Sequence, residues 1–480
     1  MPASPSTAPA VQATIDSPAL PDGALRRLLW LIAAGFFMQS LDTTIVNTAV
    51  PAMAAALKVS PLDMRGALTS YVLTLAIFIP ASPWLCNHFG TRRVFAGALA
   101  IFSLGSLLCG CATNLTALIL ARIVQGLGGA ALMPVGRYVL ARTVDRKDFV
   151  RSMSMVATVG LLGSVIGPLL GGLLVQFAHW RWIFLINIPV GMAGYWLNRR
   201  AMPDYRGDRG ERFDLSGFVL FASASALLLY ASEQLTDHRA STMALSASLL
   251  TALLCGALYV WHGRRIEHPV ADLRLLKLPT VRISLAGNLF TRLGVSGMYL
   301  LVVIYLQVGC GWSPLQAGLM MLPQAAGSIA AKWMVAPLLD RLGYRRLLTG
   351  NALCVVLILL GFGLLGSSTS AWVIGSLMFV YGAFMGVQYT SMNTLIYVDL
   401  DRRHAAMASS MASTAQYLSM SFGIAAASVL MSLYLPSAAA AAYVVAFHWT
   451  VLTLAALTLL SAGIFGQLVA PGVSLPLRGR

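Results

Sequence analysis

Two residues of opposite charge lie inside stretches of the chain that are otherwise almost wholly apolar. Asp42 belongs to WLIAAGFFMQSLDTTIVNTAVPAMAAAL, residues 30–57, and is the only one of the 17 Asp and Glu well inside a hydrophobic stretch. Arg122 lies in the apolar stretch near 115–139. Because an ionisable group is costly to keep in a membrane, such residues mark candidate functional sites. The alternative interpretation is an acid that only pairs with a base to lock two helices.

The two charges are predicted to lie at a similar depth. With a helix rise of about 1.5 Å per residue, Asp42 lies roughly 12 Å, and Arg122 roughly 11 Å, below the outer ends of their helices. If the helices face each other, the guanidinium stabilises the carboxylate while burial opposes its charge. A carboxylate balanced in this way can bind and release a proton, whereas the alternative is a static ion pair. Gln125 follows Arg122 by three residues on the same helix face and is a further polar candidate.

The composition indicates a membrane protein. Of the 480 residues 58% are hydrophobic and only 10% are charged, and the mean hydropathy is +0.76, which leaves too little polar surface for a soluble domain. The net charge of +16 comes mostly from short loops between apolar stretches, which indicates membrane topology and not a nucleic-acid partner. The six cysteines include no CxxC pair and no metal-ligand cluster is recognisable, so we predict no metal and no cofactor.

We predict an all-α polytopic membrane protein with fourteen spans in the lipid bilayer, each near the roughly 20 apolar residues that a span requires. The first seven lie near residues 28–50, 66–86, 94–112, 115–139, 152–174, 182–198 and 215–232. The others lie near 243–261, 283–306, 316–337, 347–366, 371–396, 406–433 and 446–469. Arginines concentrate in alternate loops, which predicts that these loops and both termini are cytoplasmic.

A repeat divides the chain. PWLCNHFGTRR, residues 83–93, follows the second span, and PLLDRLGYRR, residues 337–346, follows the tenth. Two halves of similar plan predict a pseudo-twofold transporter with its site between them. We therefore expect six-helix bundles at 26–200 and 281–470, two extra helices with a cytoplasmic interfacial linker at 201–280, a disordered cytoplasmic tail at 1–25 and another cytoplasmic tail at 471–480.

The fifth span contains GSVIGPLLGG, residues 163–172. Glycines four residues apart allow helices to approach closely, and a proline bends a helix. We therefore predict a conformational hinge formed by Gly163, Gly167, Pro168, Gly171 and Gly172.

The sequence resembles the major facilitator superfamily, in particular the fourteen-span drug:proton antiporters of the EmrB/QacA type and, within these, the MdtD/HsrA-like multidrug transporters. The resemblance lies in LDTTIVNTAVP (41–51), LARIVQGLGGA (120–130), GSVIGPLLGG, WRWIFLINIPVG (180–191) and SPLQAGLMMLP (313–323). It implies proton-driven export of drugs across the bacterial inner membrane by alternating access, with Asp42 and Arg122 in the proton relay. The partners implied are protons and a small-molecule substrate, and the resemblance leaves open a periplasmic adaptor for which the sequence carries no signal.

The loop motif of the family is usually GxLaDRxGRrr, and its first copy departs from that pattern. Pro83, Asn87 and His88 replace the Gly, Asp and Arg. We expect a cytoplasmic latch carried more by the second copy, or a weaker one. The candidate latch residues are Gly90, Arg92, Arg93, Asp340, Arg341, Gly343 and Arg345.

The substrate is predicted to be a neutral or anionic amphipathic compound. Arg292 and Lys332 are further basic residues within spans, and no second buried acid is available to attract a cation. Both bases could instead bond to carbonyls or extend to the membrane surface. The candidate cavity residues are Met38, Gln39, Asn47, Gln125, Arg292, Gln324, Lys332 and Tyr389. The alternatives are a facilitator or proton symporter for a small metabolite and a non-transporting sensor or scaffold; an enzyme is not expected.

Overall fold

The computed structural model describes residues 22–207, 213–235, 241–266, 269–399, 405–437 and 439–468. Within these ranges the chain is helical and has no β-strand. The tail predicted at 471–480 and most of that predicted at 1–25 lie outside the described residues.

In the described residues, eight helices form the first half. They are α1 (Asp22–Leu57), α2 (Arg65–Phe78), α3 (Ser82–Phe89), α4 (Thr91–Cys111), α5 (Leu115–Thr143), α6 (Arg146–Phe177), α7 (Trp182–Leu185) and α8 (Asn187–Ala201). A 3₁₀ turn, Ile79–Ala81, joins α2 to α3 at Pro80, where the missing N–H interrupts the helix. Gly90 has a φ of 87° between α3 and α4, a conformation that glycine adopts without steric cost.

Nine helices follow in the part of the chain that the structure describes. They are α9 (Leu215–Gln234), α10 (Thr242–Gly263), α11 (Pro279–Val295), α12 (Met298–Ile304), α13 (Pro314–Leu319), α14 (Leu322–Phe362), α15 (Ala371–Leu395), α16 (Ala405–Tyr434) and α17 (Ala440–Gly466). A π-helical turn, Tyr305–Gly309, continues α12. The predicted linker before α11 contains a five-residue 3₁₀ turn, Leu273–Lys277.

Twelve helices of the described chain are long and apolar enough to cross a membrane. One of them, Pro314–Phe362, covers two of the predicted spans, and Gly343 has non-helical backbone angles between them. The predicted span at 182–198 coincides with α7 and α8, each of which is shorter than a membrane span requires.

The two halves meet along two helix pairs. Helix α2 packs against α16, and α6 packs against α13. The extra helices α9 and α10 pair with each other, and α9 lies against α2 and α16 at the edge of this junction. An apolar core joins the halves on the side away from the arginine-rich loops, where Val46 and Val50 of α1 belong to one buried cluster with Val303 and Ile304 of α12. This burial brings the two halves together on one side of the molecule.

Candidate functional site

The structure brings Asp42 and Arg122 together in a buried ion pair. Nη1 of Arg122 donates to Oδ2 of Asp42 over 2.6 Å, and the two side chains are 1% and 0% exposed, in the order Arg122 and Asp42. Helices α1 and α5 therefore face each other at this level, as the depth estimate required. A charge-assisted bond in a site without water is strong, and either charge without the other would be costly there.

Amide side chains on α5 and α8 complete the coordination of the carboxylate. Gln125 Nε2 donates to Oδ1 of Asp42 over 2.7 Å, and Asn187 Nδ2 donates to the same oxygen over 3.3 Å. Ser106 Oγ on α4 accepts from the same amide groups, at 2.7 Å from Gln125 and 3.4 Å from Asn187. Three side chains thus donate hydrogen bonds to one carboxylate.

The guanidinium of Arg122 is held on every side as well. Its Nη1 also donates to Gln125 Oε1 over 2.7 Å, and its Nε donates to the carbonyl oxygen of Ala67 over 3.2 Å. The centre of the Tyr71 ring lies 3.9 Å from the guanidinium carbon and contributes a cation–π interaction. The site is thus a closed network of one acid, one base and neutral hydrogen-bonding groups.

Small residues allow the helices to approach closely enough for this network. A Cβ at Gly105 of α4 would lie 2.4 Å from the backbone of Gln125, and one at Gly126 would lie 3.0 Å from the carbonyl oxygen of Tyr71. Asn187 is the first residue of α8, where the break after α7 turns its side chain toward the ion pair. Sequence reasoning missed Tyr71, Ser106 and Asn187. Counting the depth of polar residues in every span would have placed all three at the level of the ion pair, but it would not have shown which way each side chain faces.

A cavity of about 460 Å³ lies between the halves, on the arginine-rich side of the ion pair. Gln39, Ser40 and Thr43, on the same helix as Asp42, form part of its wall. The other lining residues lie in the 3₁₀ turn, in α5, α6, α15 and α16, and in the turn that follows α15. They are Ile79, Met133, Pro134, Arg137, Ser164, Asn393, Tyr397, Ser409, Ala412, Ser413, Gln416, Tyr417 and Met420. The lining that the described residues form includes one arginine and no Asp or Glu.

Of the eight predicted cavity residues, Gln39 lines this cavity. Met38 and Gln324 are buried, and Lys332 is exposed on α14. Asn47 donates to carbonyl groups of its own helix, and Gln125 belongs to the ion-pair network. The remaining two, Arg292 and Tyr389, stack on each other, with the guanidinium carbon 4.2 Å from the ring centroid.

The glycines of the predicted hinge face two different neighbours. Gly163, Gly167 and Gly171 lie against α1, where a Cβ at Gly163 would lie 2.5 Å from the carbonyl oxygen of Phe37. Gly172 lies against α13, where a Cβ would lie 2.6 Å from the carbonyl oxygen of Pro314. The motif thus packs α6 closely on the helix that carries Asp42 and also on the other half of the molecule. Pro168 takes part in the second contact, because its carbonyl oxygen faces Gly318 of α13.

The halves are closed on the side away from the arginine-rich loops. Gln307 Nε2, in the π-helical turn, donates to the carbonyl oxygen of Thr48 over 2.9 Å. The backbone N–H of Leu315 donates to Gln176 Oε1 over 3.2 Å. Together with the buried apolar cluster, these bonds separate the ion pair from that side.

The predicted latch residues contact segments of their own half or are exposed. Arg92 Nε donates to the carbonyl oxygen of Met202 over 2.7 Å, and Arg93 is exposed. Asn87 Oδ1 accepts a hydrogen bond from Tyr138 over 3.4 Å. In the second copy Gly343 has a φ of 68°, and the charged residues Asp340, Arg341 and Arg345 are exposed. In the described residues of this conformation, neither loop forms an ion pair with the other half.

The fold and the paired charges agree with a comparison against protein families. The profile of the Major Facilitator Superfamily matches residues 32–424, and the chain belongs to this family of membrane transporters. Two similar proteins are named "Putative multidrug resistance protein MdtD". The protein from Serratia proteamaculans is 41% identical, and the match covers 84% of this chain and 84% of the length of that protein. The protein from Cronobacter sakazakii is 40% identical, and the match covers 92% of this chain and 94% of the length of that protein.

Solved structures share the fold at low sequence identity. A D-xylose-proton symporter has a TM-score of 0.67 at 13% identity and covers 92% of this chain and 98% of its own. A bacterial homologue of the lysosomal transporter Spinster has a TM-score of 0.64 at 14% identity and covers 93% of this chain and 97% of its own. The described chain is therefore an all-helical member of the superfamily.

Proposed function

We propose that the protein is a proton-driven antiporter that exports amphipathic small molecules by alternating access. The observation that carries this proposal is the position of Asp42, a fully buried carboxylate one helical turn from a cavity between the two halves of the described chain. Its relatives are named as multidrug resistance proteins, and export of drugs fits the size of the cavity, since drug-sized ligands occupy pockets of roughly 300–1,000 Å³.

In the described conformation the surroundings of Asp42 suit a carboxylate and seal it. Arg122, Gln125 and Asn187 donate to it, and no water can reach a side chain that is 0% exposed. A shift of α1 along the glycine face of α6 would move Asp42 away from its donors. Proton binding would then neutralise the carboxylate, and proton release would restore the pair with Arg122.

Two features of the membrane arrangement belong to the same proposal. We place fourteen spans in the bacterial inner membrane, with α7 and α8 together forming the sixth, Gly343 separating the tenth from the eleventh, and α9 and α10 as the extra pair. Both termini and the arginine-rich loops then face the cytoplasm, because positively charged loops remain on that side. In this orientation the cavity lies toward the cytoplasm.

The charge of the cavity supports neutral or anionic substrates. Its described lining carries Arg137 and no carboxylate, and the charge of Asp42 is already neutralised by Arg122. A cationic drug would therefore find no counter-charge in that lining.

The proposal can be tested in everted membrane vesicles with a panel of drugs and metabolites. An imposed proton gradient drives the uptake of each compound into the vesicles. We expect Asp42→Asn to abolish gradient-driven uptake and to retain exchange of substrate for substrate, which needs no net proton movement. Asp148→Asn, the same chemical change at an exposed position of α6, is the matched control and should keep gradient-driven uptake. Equal gradient-driven uptake by the wild type and Asp42→Asn would contradict the proton role of Asp42. A symporter would show uptake in the same direction as the proton flux.

A further inference from the structure

A buried guanidinium in the other half of the molecule lacks an acidic partner among the described residues. Arg292 on α11 is 5% exposed. Arg292 takes no part in the ion pairs that join Asp42 to Arg122, Asp204 to Arg206 and Asp214 to His262.

The contacts of Arg292 are neutral. Its Nε donates to Asn288 Oδ1 over 2.6 Å, and its guanidinium stacks on the ring of Tyr389. Its two terminal nitrogens form no hydrogen bond with the described residues. A buried charge without a counter-charge costs several kcal/mol in general, so this arrangement favours an anion that supplies the missing charge.

The neighbours of Arg292 place it next to the cavity. Tyr389 precedes Asn393 by one helical turn on α15, and Asn393 lines the cavity. Tyr417 of α16 also lines the cavity, and α16 packs against α11, the helix that carries Arg292. Gln39 reaches across from α1 to the hydroxyl of Tyr417 over 3.5 Å. Arg292 thus lies just beyond the aromatic side chains that form this wall.

We propose that Arg292 binds the carboxylate of an amphipathic organic anion whose apolar body lies in the cavity against Tyr417 and Met420. A guanidinium offers two parallel donors that match the two oxygens of a carboxylate. This inference deepens the proposed function, on which it rests for the assignment of the cavity to a transported substrate.

Equilibrium binding to the purified full-length protein tests the site without any requirement for transport. The probes are 1-pyrenebutyrate and 1-pyrenebutanol, which share one apolar body and differ in the carboxylate. We expect the wild type to bind the acid at least about 10-fold more tightly than the alcohol, because a charge-assisted bond is stronger than a neutral one. Arg292→Gln should weaken binding of the acid about 10- to 100-fold and that of the alcohol by less than about threefold.

Two further variants separate a binding role from a structural role. Lys332→Gln removes a basic side chain at an exposed position of α14 and should leave both affinities unchanged. Arg292→Lys keeps the charge and loses the paired donors, so it should keep part of the preference for the acid. If Arg292→Gln does not fold, the affinities of Arg292→Lys for the two probes provide the test. Arg292→Gln should not lower the melting temperature, since it removes a buried charge that has no ion-pair partner among the described residues.

The site is refuted by a wild type that binds neither probe or binds both equally, and by an unchanged preference in Arg292→Gln and Arg292→Lys. A protein that binds the acid through Arg292 and shows no proton-driven uptake would contradict the antiport proposal alone.

Discussion

The ion pair of Asp42 and Arg122 predicts a particular pattern in a double-mutant cycle. Asp42→Asn is isosteric, yet no orientation of its amide satisfies the site. With its oxygen toward Arg122, its NH₂ group faces the amide donors of Gln125 and Asn187; with the amide reversed, the NH₂ group faces Nη1 of Arg122. Arg122→Gln leaves the carboxylate buried and without its cation.

The magnitude follows from burial. Both side chains are at most 1% exposed, and removal of one partner of a buried pair costs about 3–5 kcal/mol. Each single variant should therefore have a clearly lower melting temperature than the wild type. The double variant, Asp42→Asn combined with Arg122→Gln, has no charge at either position and leaves no buried ion without its partner. It should therefore regain most of the lost stability, since two neutral amides can bond to each other.

Melting temperatures in detergent, measured with a matched series of all four proteins, check this order. Proton-driven uptake in vesicles should be absent from the double variant in spite of its recovered stability, because it has no titratable group at this position. A double variant that melts below both single variants would refute the reasoning, since the two side chains would then contribute independently. Recovered stability together with full proton-driven uptake would assign the proton to another group.

Three further predictions concern the movement between conformations. Gln307→Ala removes a hydrogen bond between the halves that is worth about 1 kcal/mol. The population of molecules that are open on the side away from the arginine-rich loops should therefore rise about fivefold, as measured by spin-label distance distributions. Asn351→Ala, which removes bonds within the second half only, is its control and should leave the distributions unchanged. Gly172→Ala should shift the same distributions in the same direction, since the added methyl group would lie 2.6 Å from a carbonyl oxygen of α13; unchanged distances would contradict the close approach. Asn87→Asp restores the acid of the usual loop motif and should change the turnover rate of transport, and identical kinetics would refute the idea that this departure alters the conformational balance.

Much of the site was predictable because the membrane restricts where charges can lie. The scarcity of acids in apolar stretches identified Asp42, and the constant rise of a helix placed Arg122 at its level. The same counting did not show that Asn187 and Ser106 complete the network, because α7 and α8 are separate helices and the orientation of each depends on its neighbours. It also did not show that Lys332 is exposed while Arg292 is enclosed, although both are basic residues within apolar stretches.

The sequence by itself determined that the chain is embedded in a membrane, which family it belongs to and how deep its charged residues lie. Only the tertiary structure decided which side of each helix faces a partner, on which side of the molecule the two halves are closed, and where the cavity lies. The physical reason is that helix rise depends on the backbone alone and is the same for every residue. The rotation of a helix about its axis depends on contacts with several other helices, such as the glycine face of α6 against α1, and those contacts exist only in the folded protein.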